Sequence, residues 1–282
     1  MRRPIEFPIA FHLLAYTVGQ RSTESDLAIV ESCTRFAREH ERHLRWFVDD
    51  RAGRFKPFEA EQIRATEEYL RDLPDAPHRA WMAHGGESKL TPSPWSVFGS
   101  LSGKFSNGMQ LRWPIDYWKA DWTKAVSEVI QHIKGRPIVQ ARAGHCFAEV
   151  QGEGCHEGER AILAARFQGV DIAPVSSGRI WAARGLGSAT WLTAIGNVFV
   201  EQLGGRKAFA SLGDDIVVHE LGTGVMIQAG EKPSLGDVNA GDTMPLYREV
   251  AKLIMPARYH GTVIWTNVMP ADAKAWLARL DP

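Results

Sequence analysis

The pattern of apolar and polar positions divides the chain into alternating strands and helices. Phe7–Val18 is a mostly apolar run of strand length, interrupted by His12 and Thr17, as expected of a strand buried on both sides. Thr23 then caps a helix from about Glu24 to His40, whose buried stripe is Leu27, Val30, Cys33, Phe36 and Ala37. Its other face carries Arg35, Arg38 and Arg42 among Glu31, Glu39 and Glu41, a mixture of compensating charges that suits a solvated face. Leu44–Val48 is a short strand, Asp49–Gly53 a turn, and Glu59–Leu73 a second helix stopped by Pro74 and Pro77. Arg79–Ala83 reads as a strand and Ser88–Pro94 as a loop. The stretch Leu90–Gly108 has no assignment by periodicity. Gly108–Ile115 is a strand, and Asp121 caps a helix running to Ile133, closed by Gly135.

The second half reads Pro137–Gln151 strand, Glu157–Phe167 helix, Arg179–Ala183 strand and Ser188–Leu203 helix. A hairpin of Ile216–Glu220 and Gly224–Ala229 follows, turning at Gly222. Pro245–Ile254 is a helix, Thr262–Thr266 a strand and Ala271–Leu280 a closing helix. Helices interleaved with hairpin-like strands predict an α+β fold, a largely antiparallel sheet layered with amphipathic helices, with two similar lobes possible within one 1–282 domain and a lobe boundary near 135.

Composition narrows the function classes. The chain has 282 residues and 44% hydrophobic residues, with 10 Trp, 12 Phe and 5 Tyr, which is ample for a large core. Lys+Arg and Asp+Glu both number 33, so there is no excess of basic charge of the kind a direct nucleic-acid ligand requires. Three cysteines make no disulfide framework and fit a reducing compartment. Arg2-Arg3 before an apolar run resembles a secretory signal. Glu6 and His12 break that run, and no small-x-small cleavage site follows. No apolar stretch approaches the ~20 residues of a membrane span. The expectation is a soluble cytoplasmic protein that makes no membrane contact.

The candidate catalytic motifs fall short one by one. Gly185-Leu186-Gly187-Ser188, before an expected helix, resembles the start of a dinucleotide fingerprint, but Thr190 replaces the third glycine. A nucleotide-dependent enzyme built on Gly185–Ser188 is therefore the alternative reading. Gly99–Lys104 has three residues between its glycines where a phosphate loop needs four, and Phe105 replaces the metal-binding hydroxyl. His40-Glu41-Arg42-His43 is one residue short of the zinc-protease spacing. His145-Cys146 and Cys155-His156 match no zinc knuckle. Neighbouring residues of a strand also point to opposite faces, which disfavours a Cys–His pair. Trp81, Trp95, Trp113, Trp118 and Trp122 read as core, with Trp95 at a loop end also suited to an interface. No catalytic group, cofactor or metal is expected.

The combination Trp191-Leu192-Thr193, Leu203-Gly204-Gly205, Gln228-Ala229-Gly230 with Pro233, Gly236-Asp237 and Asn239, then Tyr247-Arg248-Glu249-Val250-Ala251, resembles the bacterial type VI immunity family. Leu44-Arg45-Trp46-Phe47 and the Pro57–Glu59 entry to a helix agree with it. The resemblance implies a protein without catalysis of its own. Its partner would be a cognate type VI secretion toxin, a nuclease acting in the cytoplasm, blocked by occlusion of its active site or substrate groove. The glycines of the motif read as architectural, and Asp237 and Asn239 as bonded to their own loop. A basic nuclease groove calls for an acidic inhibitor edge. The partner-binding candidates are therefore Glu149, Glu153, Glu157 and Glu159 and the Asp214-Asp215 turn.

Overall fold

The computed structural model describes residues 8–18, 23–49, 53–72, 78–102, 104–148, 157–173, 175–261 and 270–282. Ten strands among them form one sheet, ordered β3-β2-β4-β5-β6-β1-β7-β8-β10-β9, with every neighbouring pair antiparallel. The strands are β1 (Ile9–Thr17), β2 (Trp46–Asp49), β3 (Lys56–Pro57), β4 (His78–His84), β5 (Ser96–Ser102), β6 (Gly108–Pro114), β7 (Ile138–Phe147), β8 (Leu192–Gly196), β9 (Ile216–Glu220) and β10 (Gly224–Ala229). The helices are α1 (Thr23–Glu39), α2 (Glu61–Asp72), α3 (Trp122–Ile133), α4 (Glu157–Arg166), α5 (Val175–Trp181), α6 (Asn197–Gln202), α7 (Pro245–Ile254) and α8 (Pro270–Leu277). The expected α+β class with an antiparallel sheet is the observed one.

β1 lies at the centre, flanked by β6 and β7, and sends alternate side chains into two different layers. Phe11 enters an aromatic layer with Trp113, Trp118, Trp122 and Trp191 at ring separations of 5.9 to 6.3 Å. α1 closes this side: Phe36 meets Trp113 edge-on, and the Trp113 indole N–H donates to His40 Nε2 at 3.2 Å. Trp81, Trp113 and Trp118 are core, as their pattern predicts, whereas Trp95 and Trp122 are only partly buried.

The opposite side of the same strands is a buried polar layer. His12 pairs in register with Arg112, and Leu14 with both Gln110 and Arg142. Asp171, also buried, lies 3.3 Å from Arg142 Nε and 3.5 Å from His12 Nε2, and accepts from the Ala173 amide at 2.9 Å. Gln110 joins His12 Nδ1 at 3.2 Å and accepts from Arg112 at 2.9 Å. Burial acts to raise the Asp171 carboxyl, but Arg142 and His12 outweigh it and hold it well below the usual carboxylate range. His12 shifts the other way: burial acts to lower it, and the Cys146 sulfur with the Asp171 carboxylate pushes it up to about 9.

Three expectations change on contact with the structure. Arg179–Ala183 is not a strand: Val175–Trp181 is helix α5, because its buried positions, Val175, Gly178 and Trp181, recur every three residues while Ile180 faces out. Ser188–Leu203 is not one helix. Leu192–Gly196 is strand β8, buried throughout, and only Asn197–Gln202 is helical, ahead of Gly204 and Gly205 at positive φ. A strand buried on both faces has a continuous apolar run, which a helix can imitate. Thr190 and Thr193 tip the balance, since their hydroxyls bond local backbone at 2.8 and 3.1 Å. The unassigned stretch after Leu90 contains β5, hidden by its serines. Gly99 sits there because a Cβ would come within 2.8 Å of the Trp81 indole nitrogen. Thr262–Thr266 lies outside the described residues, as do residues 50–52 of the expected Asp49–Gly53 turn.

Three buried histidines make the fold acid-sensitive. Burial lowers His40, His84 and His145 to about 4, so the folded state stays neutral at pH values where an unfolded imidazole, near 6.5, takes up a proton. Their contribution is complete above about pH 6.5 and is lost as pH falls towards 4, at most on the order of 2–3 kcal/mol for each. His12 has the opposite sign: its contribution is complete below about 6.5 and is lost as pH rises through about 9. Urea unfolding across pH 4 to 10 is expected to show maximal stability near neutrality with both limbs falling. Asp171→Asn is expected to cost about 3–5 kcal/mol at pH 7, because it leaves Arg142 uncompensated in the interior.

Candidate docking cleft

An open concavity lies at the β9 edge of the sheet. The end of β10 and the loop after it form one wall, the turn before β9 a second, and the start of α7 the floor. The cleft is open, has a volume of about 610 Å³ and is lined by Asp214, Asp215, Val217, Glu231, Lys232, Asp242, Leu246 and Tyr247 among others. Four carboxylates thus face one lysine around an apolar floor.

The loop holding the cleft open is tightly specified. Gly230 at φ 87° and Gly236 at φ 66° take the left-handed backbone that most side chains avoid. Tyr247 points its hydroxyl back to accept from the Ser234 amide at 3.1 Å. Ser234 Oγ donates to Asp242 at 2.6 Å and accepts from the Gly236 amide at 3.0 Å. Asp242 also accepts from the Met244 amide at 3.0 Å. Met244 stands at φ 51° just before α7, the one non-glycine residue at positive φ among the described residues, with its side chain buried against Gly169 and Gly236. Asp237 bonds its own loop through the Asn239 amide at 3.0 Å and clamps Arg166 at 2.9 and 2.7 Å, while Asn239 contributes only that amide and is exposed.

Asp214 and Asp215 are both exposed and both line the cleft. Glu149 and Glu153 lie outside the described residues. Glu157 and Glu159 are placed on α4 by their backbone, with side chains outside the description. Glu231 and Asp242 were missed as partners of the aspartates. The signal was present in Glu231-Lys232-Pro233, whose charge stands at the tip of a loop fixed by glycines.

Where the other chemical candidates fall within the described residues, the fold puts them to structural use. Around Gly185–Ser188 the Leu186 amide donates to the Ala257 carbonyl at 2.8 Å and the Gly187 amide to Gln140 Oε1 at 2.9 Å. Ser188 Oγ accepts from Arg279 at 2.7 Å. The turn leads into the extended segment before β8, so it offers a phosphate no helix N-terminus, and its Leu186 and Gly187 amides are already taken. Gly99–Ser102 is strand β5. His145 faces Trp122 and Cys146 faces His12, on opposite sides of β7, while Cys155 and His156 lie outside the described residues. The one close group of metal-ligand type among the described residues is Glu39, His40 and Glu128, and Arg35 already bridges its carboxylates at 2.9 and 3.4 Å.

A family model described as TsiV, type VI immunity for VRR-NUC, matches residues 28–280. The chain belongs to this family. The match takes in the whole sheet from β2 onward, both walls of the cleft and the Tyr247–Ala251 motif. The TsiV fold is also seen in a solved structure, Pseudomonas aeruginosa T6SS protein PA0821. It is similar with a TM-score of 0.81 and 20% identity, covering 97% of this chain and 84% of that one. No curated protein matches the chain in sequence.

Within this TsiV chain Ser234→Ala removes one donor and one acceptor that close the cleft loop. It is expected to cost about 1–3 kcal/mol in urea unfolding. Hydrogen exchange at residues 230–242 is expected to accelerate more than in β1, and uniform acceleration would contradict a locally braced loop.

Proposed function

We propose that this chain neutralises a VRR-NUC-type nuclease delivered by type VI secretion, by binding it directly and covering its active site or nucleic-acid groove. The observation that carries the reading is the family match across residues 28–280. Membership in an immunity family supports action by binding rather than by catalysis. The reading places the encounter in the cytoplasm, where such a nuclease meets its substrate. No helix among the described residues is long and apolar enough to cross a membrane. A tight complex of this kind buries roughly 1,600 Å² in total, with an acidic face set against a basic groove.

The test has a cellular arm and a biochemical arm. Co-production of this chain with a VRR-NUC toxin is expected to restore growth and intact DNA. In vitro, cleavage is expected to stop at about one equivalent of inhibitor. Occlusion adds that inhibitor and DNA exclude one another: excess catalytically dead DNA complex is expected to slow inhibitor association. Cleavage that continues at saturating inhibitor contradicts neutralisation. A stable ternary complex with DNA contradicts occlusion alone.

A further inference from the structure

We infer that the β9-edge cleft is the seat of a cationic side chain of the nuclease, an arginine or lysine whose stem lies on Val217 and Leu246 and whose charge sits among Asp214, Asp215 and Glu231. The inference rests on the reading of the chain as a nuclease-binding inhibitor and names the recognition chemistry of one surface.

Charge is the first argument. Several acids elsewhere on the surface stand beside bases: Glu39 with Arg35, Glu67 with Arg38, Glu31 with Arg136, Glu220 with Arg206 and Asp237 with Arg166. In the cleft, Asp214, Asp215 and Glu231 are exposed, and their side chains have no hydrogen-bond or ion-pair partner among the described residues. Three unpaired carboxylates around one concavity repel one another, and an incoming cation relieves that repulsion. The shape adds a second constraint. These carboxylates do not bring three ligand atoms close enough together to hold a metal ion, the Glu39 group being the one that does so among the described residues. Spread acceptors above an apolar floor suit a guanidinium or ammonium on a hydrocarbon stem, which buries its methylenes and keeps its charge at the rim. Val217, on the edge strand, is 47% exposed, and Leu246 is partly buried at the first turn of α7. Rigidity is the third argument. The Tyr247–Ser234–Asp242 chain of hydrogen bonds builds the wall before any partner arrives, so little ordering is left to oppose binding. A nuclease must present lysine and arginine to its polyanionic substrate, so these carboxylates occupy the electrostatic role of the phosphates.

The experiment measures affinity for the VRR-NUC nuclease that the wild-type chain neutralises, by titration calorimetry at low and high salt. Asp214→Lys/Asp215→Lys is expected to weaken binding roughly 30-fold or more, and Asp214→Asn/Asp215→Asn by a smaller factor. Leu246→Ala is expected to weaken it about 5-fold through the lost stem contact. Glu68→Lys/Glu87→Lys, with the same charge change at exposed positions elsewhere, is expected to leave affinity within about 2-fold. The wild-type salt dependence is expected to flatten in the Asp214/Asp215 variants. All the acidic positions are exposed, so thermal unfolding is expected to stay unchanged and to separate binding from folding. Unchanged affinity in both Asp214/Asp215 variants overturns the inference while neutralisation stands. Equal weakening by Glu68→Lys/Glu87→Lys overturns it too, since the attraction is then not local. A wild-type chain that binds no VRR-NUC nuclease removes the functional reading and this inference with it.

Discussion

The molecule depends on one carboxylate. β1 is buried on both faces and joins the strands on its two sides, so both of its layers must be satisfied without water. One layer does this with hydrocarbon and indole. The other holds His12, Arg112 and Arg142 in the interior, and such charge is tolerable only because Asp171 is buried with them. Asp171 arrives on the segment after α4, and its own amide is tied to the His145 carbonyl. Electrostatic compensation therefore fastens that irregular segment to the centre of the sheet.

From this centre the sheet extends to an exposed edge, and the proposed docking cleft is built there. β10 ends at Ala229, Gly230 reverses the chain, and the Trp191 indole donates to the Gly230 carbonyl at 2.9 Å, tying the aromatic core to the cleft wall. The same residue family that fills the core thus fixes the loop that carries Glu231. Met244, buried in a left-handed conformation, pins the other end of that loop against Gly169, close to the Asp171 segment. A rigid scaffold that carries unpaired charge at its rim is what recognition of a charged partner requires.

Local patterns were legible wherever one residue decided the outcome. Asp121 caps α3 through the Thr123 amide, Pro245 opens α7 where predicted, and the β9–β10 hairpin turns at Gly222 with the expected strands. β1 was legible from its apolar run, broken within the strand core by His12. β8 was not, because burial on both faces erases the two-residue period. β5 was not, because serines and a glycine chosen for the Trp81 contact look like loop. Half of the cleft was visible in Asp214-Asp215. Glu231 and Asp242 were not, since only the fold brings residues 215 and 231 to one concavity: Gly230 N–H bonds the Asp215 carbonyl at 3.1 Å. Asp171 left no sequence signal, because nothing near it shows that it faces His12 and Arg142.

In the proposed function, a surface held by a rigid sheet carries the activity. Hydrogen–deuterium exchange of the chain with and without a bound VRR-NUC nuclease tests that most directly. Slowed exchange at 213–217, 229–236 and 242–247, with β1 and its neighbours unchanged, is the predicted result. Protection confined to another face, with those segments exchanging as in the free chain, would contradict it.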